Sequence, residues 1–269
     1  MLREFWQWCR AEASPVARRM GHLSEAIALE ARARRQQNQW AEHLNLTRQA
    51  ILQQANAIHA EGNALIFGSG GLLDIPLAEL CAHFRRVYLV DIVHLPATRK
   101  QVRQFANAEL IEQDVTGLLE ALMQCDPDMD EASFERWFRC QPLPVEFPPG
   151  VVFAASVNLL SQLPVKPVQW LQNLHPGFSE AVLNRFAWHL MEQHLKLLRS
   201  LQVPVCLICD DELATFSESG QCLERIHLLD YLGLNQQVCQ RWSWNLAPAG
   251  ELPDRQQAIH QVAAIRLSH

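Results

Sequence analysis

Three glycines in four positions directly follow an apolar run. Ala64–Phe67 (ALIF) leads into Gly68, Ser69, Gly70 and Gly71, and a helix-like segment comes next. The whole chain has only 11 glycines. Because glycine permits tight turns and lets another group approach the backbone closely, the cluster predicts a sharp turn beside a bound molecule. A strand that turns into a helix there would also present backbone N–H groups and the positive end of the helix dipole.

Two acidic residues end the next two apolar runs. Asp91 closes the run RVYLVD, 21 positions after Gly70, and Asp114 closes AELIEQD. A carboxylate about 20 residues beyond a glycine loop is placed to accept hydrogen bonds from the two hydroxyls of a ribose. The two acids beside the loop would form a line of polar groups along one edge of a sheet, which predicts a nucleoside site.

The glycine loop lacks the features of two common nucleotide-binding motifs. The dinucleotide fingerprint G-x-G-x-x-G needs a third glycine where this chain has Leu73. No Lys-Ser or Lys-Thr pair follows the glycines, which excludes a P-loop. The loop therefore suits a nucleoside ligand without a pyrophosphate.

Three polar residues follow the fourth apolar run. Asn158, Ser161 and Gln162 come after VVFAASV and before Leu163-Pro164. Their density is unusual for a simple strand exit, and their predicted place, over the ends of the first and fourth strands, is where an acceptor molecule would lie. They are our candidates for catalytic residues. A polar turn whose side chains bond the local backbone is the alternative interpretation.

Strand and helix patterns alternate from residue 64 onward. Five strands are predicted, at 64–67, 86–91, 108–114, 151–160 and 203–210. Helices are predicted at about 72–84, 97–106, 179–200 and 221–232. The segments 236–246 and 260–267 predict an antiparallel hairpin. This order predicts an α/β three-layer sandwich with a mostly parallel sheet, covered by helices on both faces.

Two segments lie outside this alternation. Residues 1–61 show helical spacing only, with Ser14-Pro15 as a helix start and a second helix from Thr47, and they predict a helical lid that precedes a domain of residues 62–269. Residues 118–149 predict an insertion that is first helical and then rich in proline.

These features together resemble the class I, seven-strand S-adenosylmethionine-dependent methyltransferases. The resemblance rests on the glycine loop after ALIF, on Asp91 and Asp114, and on the closing hairpin, and it covers residues 62–269 in strand order. It implies a Rossmann-like sheet of six parallel strands with an antiparallel seventh inserted near one edge. It also implies S-adenosylmethionine as cofactor, with the loop Gly68–Gly71 along its methionine and adenosine portions, Asp91 at the ribose and Asp114 at the adenine amino group.

Two positions depart from the family pattern. Many members carry an acid two residues before the first glycine, where this chain has Ile66. Asp74 is a candidate to hold the methionine amino group instead, and capping of the following helix is its alternative role. The fourth-strand motif of amino-group methylases, an acid or Asn followed by two prolines and an aromatic residue, is absent from residues 156–164. Support for methylation of nucleobase or amide nitrogen is therefore missing.

Other polar residues keep two interpretations each. His94 and His175 are candidates for a base or a ligand contact, or are structural. The acids at 210–212 would hold a substrate cation or solvate the end of a strand. The arginines at 32, 34 and 35 would bind an anionic acceptor or form a solvated helix face.

Composition narrows the class of protein further. Lys and Arg total 23 against 29 Asp and Glu, a formal net charge of −6, which argues against a nucleic-acid partner. No apolar run approaches the roughly 18 residues of a membrane span, and the first residues lack the apolar stretch of a secretory signal. Eight cysteines are scattered, and Cys206 and Cys209 are predicted to face opposite sides of one strand, so we expect buried thiols rather than a metal or redox site.

The sequence therefore predicts a cytoplasmic S-adenosylmethionine-dependent methyltransferase that acts on a small-molecule acceptor by in-line transfer, without a metal. A non-catalytic nucleoside-binding protein of the same fold is one alternative. An aminopropyl-transfer enzyme is another, for which the acids at 210–212 are the only indication. The identity of the acceptor and the oligomeric state are not predicted.

Overall fold

The computed structural model describes residues 7–141 and 146–267, and a single sheet of eight strands runs through them. The strands are β1 (Asn63–Phe67), β2 (Arg86–Asp91), β3 (Ala108–Glu112), β4 (Val151–Val157), β5 (Val205–Phe216), β6 (Cys222–His227), β7 (Val238–Ala247) and β8 (Gln257–Leu267). Their order across the sheet is β3-β2-β1-β4-β5-β8-β7, and β6 pairs with β5 off this path.

The direction of the strands defines the fold. The first five strands in that order are parallel to their neighbours. β8 is antiparallel to both β5 and β7, so β7 runs in the direction of the other parallel strands. Six parallel strands with one antiparallel strand inserted near the edge form the Rossmann-like class I methyltransferase fold, and the predicted fold class is confirmed.

β6 was not expected, and the predicted helix at 221–232 is wrong over its first half. β5 continues to Phe216, where β8 pairs with one of its edges and leaves the other free. β6 occupies that free edge over Glu212–Phe216, and only Leu228–Leu232 is helical. Short apolar spacing does not separate a helix from a strand. Here the unpaired backbone of a long neighbouring strand favours the strand, and the sheet has eight strands instead of seven.

Helices pack on both faces of the sheet. They are α1 (Pro15–Arg19), α2 (His22–Arg35), α3 (Gln37–Ala55), α4 (Leu77–His83), α5 (Pro96–Val102), α6 (Leu119–Met123), α7 (Glu131–Arg139), α8 (Val165–Leu174), α9 (Glu180–Ser200) and α10 (Leu228–Leu232). α8 is not among the predicted helices. Within the described residues, no helix is both long and apolar enough to cross a membrane.

The central strands are buried on both faces. Ala64 and Ile66 of β1 pack in one core with Ile51 of α3, whereas Leu65 and Phe67 pack in a second core with Leu198 of α9. A strand covered on both sides has no polar face, so it is apolar at every position instead of alternating. This explains why β1 and β2 could be predicted from the sequence as continuous apolar runs.

The N-terminal helices follow the sequence in part. Ser14 caps α1 by accepting a hydrogen bond from the Ala17 amide at 3.1 Å, with Pro15 at the first helical position, as predicted. α3 begins at Gln37, ten residues before the predicted start at Thr47. The predicted insertion contains α6 and α7, and its residues 142–145 lie outside the described residues.

Candidate active site

A cavity of about 300 Å³ lies above the carboxyl ends of β1, β2 and β4. Ligands of open α/β sheets bind at this edge, and the volume is in the range of small-molecule sites. We call one part of its wall the glycine-loop end, formed by Gly68–Gly71 and Asp91. The opposite part, formed by His43, Asp74, Asn158 and Trp244, is called the tryptophan end. Residues of α2 and α3 also line the cavity.

The glycine loop takes its shape from contacts within the protein. Gly68 has φ +74°, and a Cβ atom on it would lie 2.5 Å from the carbonyl oxygen of Val157, so the packing of β1 against the exit of β4 requires glycine there. Gly70 has φ +36°, and its amide donates to Asp91 Oδ2 at 2.8 Å. Residues 68–76 form an irregular loop, and α4 begins at Leu77 instead of the predicted residue 72. The loop therefore does not lead directly into a helix N-terminus.

Asp91 is held by the backbone on the cavity wall. Its Oδ2 accepts from Gly70 and its Oδ1 accepts from the Ile92 amide at 2.8 Å. Burial raises the pKa of this carboxyl to about 6, although the amide donors act in the opposite direction. Each carboxylate oxygen has two acceptor positions, so both retain capacity for a ligand donor.

Asp114 lines the cavity and also organises its own loop. Oδ1 accepts from the amide of Thr116 at 2.9 Å and from its hydroxyl at 2.6 Å, and Oδ2 accepts from the Leu119 amide at 2.9 Å. The carboxylate thus stabilises the turn that begins α6. Its predicted contact with an adenine amino group stays a prediction.

Of the two interpretations of His94, a ligand contact or a structural residue, its surroundings favour the structural one. The side chain is fully buried, and Nε2 lies 2.9 Å from the hydroxyl of Ser69, which is itself 1% exposed. Burial lowers the pKa of His94 to about 4. Ser69 lines the cavity, and its predicted contact with the cofactor stays a prediction. His175 stacks on Phe178 and is not part of the cavity wall.

Asn158 joins the exit of β4 to the loop before α4. It adopts a left-handed conformation with φ +49°, which Asn tolerates better than most residues. Its Nδ2 donates to Asp74 Oδ2 at 2.7 Å, and its Oδ1 is buried without a partner. Asp74 does not cap α4, whose first turn has no side-chain cap. Burial raises the pKa of Asp74.

His43 completes the tryptophan end from the middle of α3. Its Nδ1 accepts from the indole N–H of Trp242 at 3.0 Å, its Nε2 lies 3.3 Å from Asn158 Nδ2, and its ring stacks on Trp244 at 3.8 Å between centroids. Burial lowers the pKa of His43 to about 4. The sequence carries no signal for this residue, because His43 and Trp242 are 199 positions apart.

Of the three predicted catalytic residues, two line the cavity and one does not. Asn158 and the exposed Gln162 line the cavity. Ser161 lies behind it and donates to Asp210 Oδ2 at 2.5 Å. Asp210 is 4% exposed, lines the cavity and pairs through Oδ1 with His260 Nδ1 at 2.9 Å. Solvation of a strand end is therefore wrong for Asp210, and sequence reasoning missed His260.

Acidic residues predominate around the cavity. Asp74, Asp91, Asp114 and Asp210 belong to its wall, as do two acids of α2, Glu25 and Glu30. The basic side chains of the wall are those of Arg32 and Lys166, apart from the histidines His22 and His43, and Lys166 pairs with Glu25 at 3.0 Å. An anionic ligand would meet net repulsion here.

The arginines of α2 serve mainly to attach the helix. Arg35 binds Glu251 in the β7–β8 loop through two hydrogen bonds, of 3.0 and 2.7 Å, and the pKa of Glu251 is lowered to about 2 chiefly by this partner. Arg34 pairs with Glu30 of the same helix at 2.6 Å. Of these two contacts, that of Arg35 attaches α2 to the β7–β8 loop.

Comparisons with known proteins gave matches among solved structures only. No protein-family model and no curated protein matches the sequence. The N-methyltransferase NodS from Bradyrhizobium japonicum WM9, in complex with S-adenosyl-L-homocysteine, is 9% identical, with 83% of this chain and 86% of that chain covered and a TM-score of 0.40. A DhpI–SAM–HEP complex is 12% identical, covers 94% and 99%, and has a TM-score of 0.40. An rRNA methylase from Streptococcus thermophilus is 13% identical, covers 83% and 95%, and has a TM-score of 0.34.

Proposed function

We propose that this protein is an S-adenosylmethionine-dependent methyltransferase that acts on a small molecule. The observation that carries the proposal is Asp91, a carboxylate fixed by the Gly70 and Ile92 amides on the wall of a cavity above the carboxyl ends of the strands. In a sheet with class I methyltransferase topology, this is the position for an acceptor of ribose hydroxyl hydrogen bonds. Hydrogen bonds to a charged group contribute roughly 1.5–3 kcal/mol.

The cavity contains partners for the rest of the cofactor. Asp74 lies on the wall and supplies the acid that is absent at Ile66, so we assign it to the methionine amino group. One atom of the Asn158 amide is buried without a partner in the protein, which is the condition expected of a group that serves a bound acceptor. The Gly68–Gly71 backbone would follow the methionine and ribose, and Asp114 would face the adenine.

The protein's part in the reaction is alignment and exclusion of water. S-adenosylmethionine supplies a methyl group already activated on a sulfonium. The residues around it hold the acceptor in line with the methyl group, which lowers the barrier by removing translational and rotational freedom. α2 and α3 contribute Leu29, Trp40 and Leu44 to the wall and thereby cover the site with apolar surface. A general base is needed only if the acceptor must lose a proton.

The wall favours a small acceptor that is neutral or cationic. Its acid excess disfavours an anion, and a cavity covered by α2 suits a small molecule better than a polymer. We assign Asn158 and Gln162 to the acceptor and give Ser161 the role of holding Asp210 in place. A reducing cytoplasm suits the eight unpaired cysteines.

Aminopropyl transfer is less well supported than methyl transfer. Binding a polyamine would need carboxylates that are not already paired within the protein, but Asp210 is hydrogen-bonded to Ser161 and His260. Asp211 and Glu212 pair with Arg241 and Arg225. The two experiments that follow decide whether the protein is an enzyme or only binds the nucleoside.

Calorimetry and thermal melting with four ligands test the proposal. S-adenosylmethionine and S-adenosylhomocysteine should bind, and NAD and ATP should not. At one hundred times the dissociation constant the ligand should stabilise the fold by about 2.7 kcal/mol. Neither heat nor a thermal shift with either cofactor form would overturn the assignment.

Mass spectrometry then separates the enzyme from the binding protein. The protein is incubated with cell extract and S-adenosylmethionine labelled in the methyl group, and an enzyme should transfer the label to a small molecule. Binding without any labelled product would favour the non-catalytic alternative.

A further inference from the structure

The contact between Trp242 and His43 determines where the histidine carries its proton. The indole N–H is a donor only, and it points at His43 Nδ1 at 3.0 Å. Nδ1 must therefore be unprotonated, which excludes the doubly protonated ring. The neutral ring then carries its proton on Nε2, in agreement with a pKa that burial lowers to about 4. Nε2–H is thus a donor that needs an acceptor.

The group opposite this donor is the amide of Asn158. One amide position lies 3.3 Å from His43 Nε2 and 2.7 Å from Asp74 Oδ2, and the other has no partner. If NH₂ occupies the shared position, two donors face each other at His43. If the oxygen occupies it, Asn158 accepts from His43 and requires a second donor at Asp74. This second arrangement satisfies all three contacts, provided that Asp74 carries a proton, and it places the NH₂ of Asn158 at the buried position that has no partner in the protein.

The surroundings of Asp74 contain one opposing charge. The Asn158 amide, when its NH₂ faces Asp74, favours the carboxylate, as do the backbone amide of Asp74 itself and Arg48 of α3, which donates to the Leu73 carbonyl. Burial acts the other way, is the largest influence and raises the pKa of Asp74. Asp210 and His260 act on His43 from β5 and β8 with opposite signs.

We propose that Asp74 is protonated in the free protein and donates to Asn158 Oδ1, in an arrangement that Trp242 sets through the protonation of His43. A cation that binds beside Asp74 then displaces this proton to solvent, leaving a carboxylate to pair with the cation. Trp242 and His43 are positioning residues for Asn158 and Asp74. The identity of the cation, the ammonium group of S-adenosylmethionine, rests on the proposed function.

This arrangement adapts the charge of the site to its ligand. A neutral molecule beside Asp74 meets a carboxylic acid, and a cation meets a carboxylate. When the proton leaves, the Asn158 amide turns its NH₂ to Asp74, because a carboxylate accepts and does not donate, and the hydrogen bond from His43 Nε2–H to Asn158 is given up. The protein thus keeps a half-buried carboxylate neutral while the cavity is empty.

Nuclear magnetic resonance on the free, labelled protein tests the proton positions directly. Long-range ¹⁵N–¹H correlation should show the Nε2–H form of His43. The ¹³C signal of Asp74 Cγ, identified by its loss in Asp74→Asn, should keep the carboxylic-acid shift at pH 7. Asp74 ionised at pH 7, or His43 protonated on Nδ1, would overturn the proposal.

A pair of tryptophan variants tests the link through His43. In Trp242→Phe, His43 is free to move its proton to Nδ1 and to accept from Asn158, so Asp74 should change to the carboxylate shift at pH 7. Trp188→Phe is the control, because Trp188 packs in the core on the other face of the sheet and should leave Asp74 protonated. If Trp242→Phe shows the Nδ1–H form while Asp74 stays protonated, the link is wrong. If it does not fold, the wild-type signals still decide the proton positions.

Calorimetry in buffers of different ionisation enthalpy tests the displacement. At pH 7.5, S-adenosylmethionine should release close to one proton per site from the wild-type protein and none from Asp74→Asn. Binding without proton release would refute the displacement and leave the cofactor assignment intact. Absence of binding would refute the cofactor assignment, whereas the protonated Asp74 of the free protein would still be decided by the resonance signals.

Discussion

The two ends of the cavity are held by different groups, backbone amides at one end and side chains at the other. At the glycine-loop end, Asp91 is held by the backbone amides of Gly70 and Ile92, so two short segments 21 positions apart suffice. At the tryptophan end, side chains hold side chains: Trp242 holds His43, which faces Asn158, which faces Asp74. These residues come from α3, the loop before α4, the exit of β4 and β7.

The difference separates a fixed site from an adjustable one. Backbone donors cannot change their polarity, so Asp91 meets the same partners in every state of the protein. An imidazole and an amide can each exchange donor and acceptor positions, so the tryptophan end has more than one hydrogen-bond arrangement. We therefore expect changes at the glycine-loop end to alter affinity for the cofactor. At the tryptophan end, changes to Asn158 should alter turnover, and changes to Asp74 should alter both cofactor affinity and the proton release that accompanies binding.

The largest expected effect is that of Asp91→Asn on cofactor affinity. The variant keeps the shape and one acceptor but loses the charge, so S-adenosylmethionine should bind about ten- to a hundredfold more weakly. The stability of the free protein should stay near the wild-type value, because removing the desolvated charge is offset by losing the hydrogen bond from one of the two backbone amides. Titration calorimetry and melting of the same variant measure both quantities.

Glu109→Gln is the matched control for Asp91→Asn. Glu109 is exposed, and its carboxylate pairs with Arg86 at the surface, so neither affinity nor stability should change appreciably. If Asp91→Asn instead lowered stability by about 1 kcal/mol and left affinity unchanged, Asp91 would be a local cap and the two ends would not differ as described.

Next in size is the effect of Asn158→Ala combined with Gln162→Ala on turnover. The rate on an identified acceptor should fall at least about tenfold, which corresponds to 1.4 kcal/mol of barrier, while cofactor affinity stays within a few-fold of wild type. Steady-state kinetics and calorimetry give the two values. Gln162→Ala alone is the control, and its exposed position predicts the smaller part of the effect. Unchanged turnover in the double variant would remove the β4 exit from the active site.

The pH dependence of cofactor affinity should single out Asp91. In an Asp74→Asn background, where the proton proposed on Asp74 does not contribute, the pKa of about 6 of Asp91 in the free protein means that affinity rises about tenfold between pH 5 and pH 7, as the carboxylate that accepts from ribose forms. The free protein behaves in the opposite sense: protonated Asp91 contributes stability that is complete below pH 3.8 and is lost as pH rises through 6. Titrations at several pH values should lose the step near pH 6 when Asp91→Asn is added to that background. A step that persists in the double variant belongs to another group.

The smallest effect concerns the attachment of α2. Arg35→Ala removes both hydrogen bonds to Glu251 and should lower the free energy of unfolding by about 1 kcal/mol, whereas Arg34→Ala loses only a pair within the helix and should cost a few tenths. The pKa of Glu251 is lowered, so its contribution is present above pH 4.5 and fades as pH falls toward 2. Urea unfolding at pH 7 and pH 3 measures it. If the two variants lose equal amounts of unfolding free energy, the contact between α2 and the β7–β8 loop has no special role.

The glycine-loop end could be predicted from the sequence because each of its features lies within a short continuous segment. Buried parallel strands are continuous apolar runs, and the residues at their carboxyl ends meet at one edge of the sheet. The predicted ribose contact by Asp91 stays a prediction, but its place beside Gly70 follows from strand spacing alone.

The tryptophan end could be predicted only in part. Asn158 was a candidate because a strand exit is a local signal, whereas His43 sits inside a helix with no distinguishing pattern. Asp210 looked like one of three solvated acids, and only the pairing of β5 with β8 brings His260 to it. β6 was missed for a similar reason, since the length of its partner strand decides its structure.

The pairing of Trp242 with His43 has a consequence for how the chain acquires activity. β7 and β8 follow all other strands of the described chain, yet β8 pairs with β5 at the centre and β7 supplies both indoles that touch His43. Contacts this distant along the chain form late, because closing a long loop costs entropy before any contact offsets it. During synthesis, the glycine loop and Asp91 can meet long before β7 emerges from the ribosome. The glycine-loop end can therefore take shape before the tryptophan end is complete.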